Sequence, residues 1–370
     1  MPISSALSLK QLLKETKCDW DHDGIPPNVR ENWWKVMNCG TAALGAEVFA
    51  SPTERKIVYH TCKSRFCFSC GSRSAAIWQS ELEVTIPDLP YREINLTMPR
   101  VFWPMFQQNR HLLNDLPAVG AEAIEYWVRF RCRARILLMV VQQTYGGFLN
   151  FYPHLHTLVS AGGLCDSDVR WIHDLNCRTK KYWHELMLAW RFALIAYLHS
   201  AIEAKVLTSN WSSSELMQIL EIEAQRSWNI WISRKVSKKK VIDHIGRYIR
   251  KPPIAQYRLA RLNEGEVQYL AKNTRHESLV PVTYTNNEFL DLIMPHVVDR
   301  YCNSMRYFGL LAPQSKRLLG VVFGLLNQRQ RPRPERLSYA ELRYQTFGQY
   351  PFIGRDGSVL KRIGRIKATP

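Results

Sequence analysis

Residues 135–159 read RILLMVVQQTYGGFLNFYPHLHTLV, and their reading decides the fold. Two apolar runs rich in β-branched residues flank Tyr145-Gly146-Gly147, where the glycine pair permits a tight reversal, so the stretch predicts an antiparallel hairpin. Side chains alternate across a strand, which puts His154 and His156 on one face. At strand rise their Cα atoms lie about 6.6 Å apart, near enough for both rings to lean toward one ion. Imidazole suits transition ions and, with an oxygen ligand, can hold Mg²⁺ or Mn²⁺ in a site left open to a phosphate. A pair of hydrogen-bonded core histidines is the plain alternative, so the rest of the chain must decide.

Working outward, YREINLTMP (91–99) reads as a strand stopped by Pro99, residues 120–134 as a helix and 136–143 as the first hairpin strand. From 180 to 230 the pattern is helical, with Trp183, Leu186, Met187, Trp190 and Leu194 on one face. Ser212 followed by Glu215 predicts a capping box that opens a second helix. In VSKKKVIDHIGRYIRKPP (236–253), Val241, Ile245 and Ile249 recur every four residues until Pro252-Pro253 forbids further helix. The expected fold is α+β: an antiparallel sheet carrying the histidine strand, with flanking helices. Residues 86–165 and 236–310 form that domain, 166–235 a helical insertion, 1–85 a zinc-binding module and 311–370 a basic C-terminal segment. Its end, KRIGRIK (361–367), is expected to be loosely ordered.

The composition narrows the partners. Fifty Lys and Arg against 32 Asp and Glu give a net charge of +18 and a pI near 9.6, the balance of a protein that neutralises phosphates. The N-terminus lacks a continuous apolar segment and no run of 18 apolar residues occurs, so a soluble cytoplasmic chain with no membrane partner is expected. Nine cysteines, an odd number, favour thiols available to metal over a disulfide framework.

The segment HTCKSRFCFSCG (60–71) spaces Cys62, Cys67 and Cys70 as C-x4-C-x2-C, with Lys63 and Arg65 between them as candidate DNA contacts. Three thiolates are one short of a closed tetrahedral Zn²⁺ site. Cys39, in the MNCGT turn, is the preferred fourth ligand, with His60 and the Cys18/His22 pair as alternatives. Three buried structural thiols are the bland reading.

Tyr248, in DHIGRYIRKPP (243–253), is the candidate nucleophile. A phenol with pKa near 10 needs activation by deprotonation, a metal or positive charge. Lys238 to Lys240, Arg247, Arg250 and Lys251 supply charge, and His244, one helical turn away, can orient or deprotonate the phenol. For an arbitrary tyrosine, a surface hydroxyl on a solvated basic face is the ordinary reading.

The order TCKSRFCFSCG, INLTMP, QTYGGFLNFYPHLHTLVSAGGL, WHELMLAWRFALI, HIGRYIRKPPIAQYRL and MRYFGLLAP, from about residue 18 to about 310, resembles the rolling-circle insertion-sequence transposases with an HUH nuclease domain. The resemblance implies His154 and His156 as ligands of a catalytic Mg²⁺ or Mn²⁺, Tyr248 as the nucleophile, and zinc on Cys62, Cys67 and Cys70; Arg247 and Arg250, basic neighbours of Tyr248 in the sequence, are the candidate clamps for developing charge. It implies single-stranded DNA at element ends, including hairpins, as substrate, a 5′-phosphotyrosine intermediate, help from the host replication machinery, and a bacterial, DNA-associated location; Arg250 and Lys251, in the basic run after Tyr248, are candidate DNA contacts. Many relatives carry two tyrosines four residues apart, whereas His244 stands at the first position here, as in a single-tyrosine branch. Relatives often carry a C-x-x-C-like pair ahead of the cluster, and VFASPTER (48–55) has none, which leaves the fourth zinc ligand open. The third ligand of the catalytic ion is open too, between His244 and Gln256. Plasmid replication initiators and relaxases share this chemistry. A zinc-stabilised DNA-binding protein without activity and a nuclease that uses water are the remaining alternatives.

Overall fold

The structure is a computed structural model that describes residues 5–176, 180–246, 253–273, 278–334 and 350–368, with 338, 340, 341, 344 and 348 between the last two spans. The chain divides into two compact units. The first gathers residues 1–80, 250–297 and 333–370, and the second 81–249 and 298–332.

In the second unit an antiparallel five-stranded sheet runs in the order Ile230–Ile232, Tyr91–Leu96, Phe151–Ser160, Leu137–Tyr145 and Met305–Gly309. Its centre is the expected hairpin, with Val141 opposite His156 and Gln143 opposite His154. Strand alternation sorts the two faces. Ile94, Leu96, Leu138, Val140, Leu155 and Val159 point into one apolar core, while Glu93, Gln143, His154 and His156 occupy the opposite face.

Three long helices share that core, Leu112–Cys132, Lys180–Glu203 and Ser213–Gln225, joined by the short helix Trp103–Gln108 through Met105 and Phe106. The first begins eight residues before the expected 120, with Pro117 inside its second turn, where the missing N–H costs a single ladder bond. It lies so close to the histidine strand that a Cβ on Gly120 would stand 2.3 Å from the Leu155 Cδ1. By length and composition Lys181–Glu203 is apolar enough to cross a membrane. Leu186, Trp190, Leu194 and Leu198 on its inner face are fully buried against the other helices, the pattern of a core helix. The capping box at Ser212 and Glu215 forms as expected.

The first unit has smaller layers. Ser5–Ala6, Leu259–Arg261, Glu266–Asn273 and Ser278–Thr285 form one antiparallel sheet, and Lys361–Ile366, Ala46–Ala50 and Arg55–Tyr59 form another. The segment KRIGRIK is therefore not loosely ordered, as its charge suggested: five of its residues pair with Ala46–Ala50, and Arg362 is ion-paired with Glu47 at 2.5 Å. Backbone pairing needs no apolar side chains, so an exposed edge strand can be read as a basic tail. Trp20 and Trp33 meet edge to face at 5.8 Å, both fully buried.

Candidate active site

Two clusters of metal-ligating side chains stand out, one in each unit. In the first, the helix Pro27–Met37 ends at a turn in which Gly40 adopts φ +74 and donates its N–H to the carbonyl of His60 at 3.0 Å. That bond ties the Cys39 turn to the segment leading into Cys62. Cys67 and Cys70 follow a turn through Lys63, itself at φ 56, and Cys70 lies on the helix Phe68–Thr85. The four sulfurs of Cys39, Cys62, Cys67 and Cys70 lie within 4.8 Å of one another. The sulfur of Cys39 is 3.7 Å from that of Cys70 and 3.8 Å from that of Cys67, and Cys62 is 3.6 Å from Cys70. A tetrahedral Zn²⁺ with Zn–S bonds of about 2.3 Å requires sulfurs about 3.8 Å apart, so the four thiols fit that ion.

Their protonation points the same way. Hydrogen bonding with the neighbouring thiols, Cys39 first, holds Cys70 below the ordinary thiol range. The same neighbours push Cys62 and Cys67 above it, and Cys39 is lowered to about 7 by Cys62. Four thiols this close share protons unevenly until a cation replaces them. The alternative fourth ligands lie elsewhere: His60 bonds the Leu44 carbonyl and Glu47, Cys18 faces Asp19, and His22 faces the Asp19 carbonyl. Lys63 is exposed beside the cluster, and Arg65 is partly buried.

In the second unit, His154 and His156 share a face and their Nε2 atoms stand 3.0 Å apart. The Nδ1–H of His154 donates to the carbonyl of Tyr152 at 2.8 Å, and the Nδ1–H of His156 donates to Glu93 Oε1 at 2.8 Å. Carbonyl and carboxylate oxygens only accept, so both rings carry a proton on Nδ1 and aim Nε2 at a common point. Two lone pairs at that separation repel unless a proton or a metal cation lies between them. Outer N–H groups held by a carbonyl and a carboxylate are the usual support of metal-bound histidines. Burial, and then the neighbouring His156, lower His154 to about 3, which keeps its ring neutral at physiological pH.

Nitrogens 3.0 Å apart subtend about 90° at an ion about 2.1 Å from each, the cis angle of an octahedral site and narrower than a tetrahedral one. The pair can therefore share one divalent ion. Two further oxygens face the site: Gln143 Oε1 lies 3.2 Å from His156 Nε2, and Asn95, directly across the sheet from His156, has a buried side-chain oxygen without a hydrogen-bond partner.

Glu93 was missed in the sequence. It is buried, and its second oxygen, Oε2, lies 3.3 Å from Nε2 of His244 on the helix Lys238–His244. One carboxylate thus joins a ring of the histidine pair to the helix that leads toward Tyr248. The signal was the one acid in the strand YREINL, read only as strand. Arg247, Tyr248, Arg250 and Lys251 lie outside the described residues. Lys238 does not supply surface charge as expected: it is buried, its Nζ donates to the Ile86 carbonyl at 2.7 Å, and burial lowers its pKa. Lys239 and Lys240 are exposed. His244 is turned to Glu93, Gln256 belongs to the first unit, and among the described residues the four thiols are the only group of three or more His, Cys, Asp or Glu ligand atoms within reach of one ion.

The chain thus combines an α+β unit carrying a histidine pair on its sheet with a four-thiol cluster that fits zinc, and comparison with known proteins supplies the class. Residues 138–318 match the family model described as "Putative transposase", and residues 10–98 match that of the "Transposase zinc-binding domain". The chain is 28% identical, over 84% of its length and 78% of the relative's, to the transposase for insertion sequence element IS801 of Pseudomonas savastanoi pv. phaseolicola. It is 25% identical, over 89% of its length and 88% of the relative's, to "Putative transposase y4qJ" of Sinorhizobium fredii (strain NBRC 101917 / NGR234). No solved structure matches. The chain belongs to the insertion-sequence transposases of the IS91 and IS801 type, and its N-terminal part is their zinc-binding domain.

Proposed function

We propose that the chain moves its element by rolling-circle transposition, nicking and rejoining single-stranded DNA at the element's ends through Tyr248. The observation that carries this reading is the pair of Nε2 atoms 3.0 Å apart, with both outer N–H groups held by oxygens. His154 and His156 would hold Mg²⁺ or Mn²⁺. Such an ion, when bound, draws electron density from a phosphodiester.

The remaining chemistry belongs to the chain. The phenol of Tyr248 gives up its proton, with His244, four residues earlier, as acceptor. The phenolic oxygen bonds to phosphorus, the P–O3′ bond breaks, and the departing oxygen takes a proton to become a free 3′-hydroxyl. The strand is left as a 5′-phosphotyrosyl ester, whose energy is kept for rejoining, and the 3′-end is available to the host replication machinery. Arg247, Arg250 and Lys251, neighbours of Tyr248 in sequence, suit the negative charge that develops. Cys39, Cys62, Cys67 and Cys70 hold zinc, and Lys63 and Arg65 beside them contact the phosphates of element-end DNA.

The test is direct. The protein is incubated with single-stranded DNA from its element's ends and Mn²⁺, and peptides are mapped by mass spectrometry. A nucleotide adduct on Tyr248 that disappears in Tyr248→Phe is expected. Cutting that persists in Tyr248→Phe, with ordinary ends and no protein attached, assigns the reaction to water instead.

A further inference from the structure

The histidine pair has an aromatic neighbour that the proposed chemistry does not use. The ring of Tyr152 stacks on His154 at 4.5 Å and 22°, and Trp103 packs on the outer side of Tyr152 at 5.0 Å. Beyond Trp103 opens a cleft of about 580 Å³ lined by Arg100, Trp103, Gln107, Phe148, Asn150 and Phe151. We infer that this cleft is a subsite that stacks one unpaired nucleobase of the strand whose phosphate enters the histidine pair, an inference that rests on the single-strand nuclease reading above.

Three features support it. First, Phe148 stands at the tip of the histidine hairpin with 41% of its surface exposed, while the next residue, Leu149, is fully buried in a left-handed turn at φ 60. The buried leucine anchors the tip and leaves the phenylalanine ring outside the core. Second, the guanidinium of Arg100 lies 5.7 Å from the centre of the Trp103 ring, so a cation and three aromatic side chains line one opening. Aromatic faces with a nearby arginine are how single strands are gripped without reading sequence. Third, ring contacts from Trp103 to Tyr152 and from Tyr152 to His154 link the cleft wall to the site, whereas the larger aromatic groove between the helices Leu112–Cys132 and Lys180–Glu203 is lined by Glu122 and Glu185, which repel phosphate. The amides of Gln107 and Asn150, both exposed, can meet the edge of whichever base is stacked.

The test uses the full chain carrying Tyr248→Phe, so that no cutting intervenes, and fluorescence anisotropy with labelled single-stranded oligodeoxythymidines. In a series each oligonucleotide carries one abasic nucleotide, moved along the strand. One abasic position is expected to weaken binding about ten-fold. Phe148→Ala should weaken the intact oligonucleotide by a similar factor and abolish the extra penalty at that position. Arg100→Ala should flatten the slope of log affinity against log salt by about 0.7. Phe148 is exposed, so its replacement leaves the fold intact, and duplex binding by both variants should be unchanged. Parent-like binding by both variants, or a full abasic penalty in Phe148→Ala, overturns the subsite. If the subsite fails this way while the unmodified chain still forms the Tyr248 adduct, the nuclease reading stands. If the abasic penalty maps to Phe148 and no adduct forms, the subsite stands and the nuclease reading falls.

Discussion

Four sulfurs surround one point in the first unit, while in the second two imidazoles meet at a point with no third His, Cys, Asp or Glu ligand beside them among the described residues. A closed set of protein ligands makes a structural ion, because no position remains for a substrate. An open pair, held from behind by a carbonyl and by Glu93, has the form of a site where a ligand completes the coordination. The two regions also cohere differently. The second unit buries a continuous apolar core between its sheet and its helices, whereas the first is divided among short helices and two small sheets. Metal should therefore be essential to the fold of one unit and dispensable to that of the other.

Stripping zinc is the largest perturbation that tests this difference, since structural zinc supplies roughly 10–16 kcal/mol of apparent free energy to small domains. With a chelator, or in Cys39→Ser, amide exchange around Cys39–Cys70 and in Ala46–Tyr59 should rise to the level of an unfolded chain. The strands Leu137–Tyr145 and Phe151–Ser160 should stay protected. Equal protection of both units after zinc loss would break the comparison.

Glu93→Gln addresses the other half. It keeps the shape of the side chain and removes the charge that orients His156. Affinity for Mn²⁺ at the histidine pair, read by calorimetry, should fall about 10- to 100-fold, as for other second-layer partners of metal-bound histidine. Thermal unfolding of the second unit should barely move. A large loss of stability instead would make Glu93 a structural residue.

How much of this was legible follows from which signals are local. The hairpin, its glycine turn and the shared face of His154 and His156 depend on alternation and turn chemistry, and both are written in residues 135–159. The cysteine spacing is equally local, and Cys39 was named because three thiols leave a tetrahedron incomplete. Glu93 was not legible, because it lies 63 residues from His156 and meets it only through strand pairing. The short strands Ile230–Ile232 and Lys361–Ile366 escaped for a similar reason: their partners supply the hydrogen bonds that make them strands. Lys238 misled because a basic run is ordinarily a solvated face, and nothing in its sequence announces the carbonyl of Ile86.

If the second unit coheres by apolar packing, it should be sensitive to one methyl group in the right place. A Cβ at Gly120 meets Leu155 Cδ1 at 2.3 Å and Leu96 Cδ1 at 3.3 Å, and both leucines are fully buried. Overpacking costs about 1–3 kcal/mol. Alanine regains roughly 1 kcal/mol of helix propensity over glycine. Gly120→Ala should thus lose on the order of 1 kcal/mol in chemical denaturation and leave zinc content unchanged. A stabilised variant would mean that Leu155 yields more easily than its burial implies.

The smallest expected effect concerns the helix Ser213–Gln225, whose start is held by polar groups at the surface. Ser212 Oγ accepts from the N–H of Glu215 at 3.3 Å, and Glu215 Oε2 accepts from the N–H of Ser212 at 2.7 Å. Ser212→Ala removes one half of this exchange and should cost the second unit about 1 kcal/mol or less, the low end for caps. The bonds from the Ser212 backbone and hydroxyl hold the Glu215 carboxyl below its ordinary range near 4.5. Its contribution is therefore complete above that pH and fades as pH falls below it. Ser212→Ala should flatten this acid limb of the unfolding curve while Mn²⁺ affinity stays as in the parent. A change in metal affinity would mean that the helical layer and the histidine face are coupled through the core, contrary to the independence that packing on opposite faces of one sheet implies.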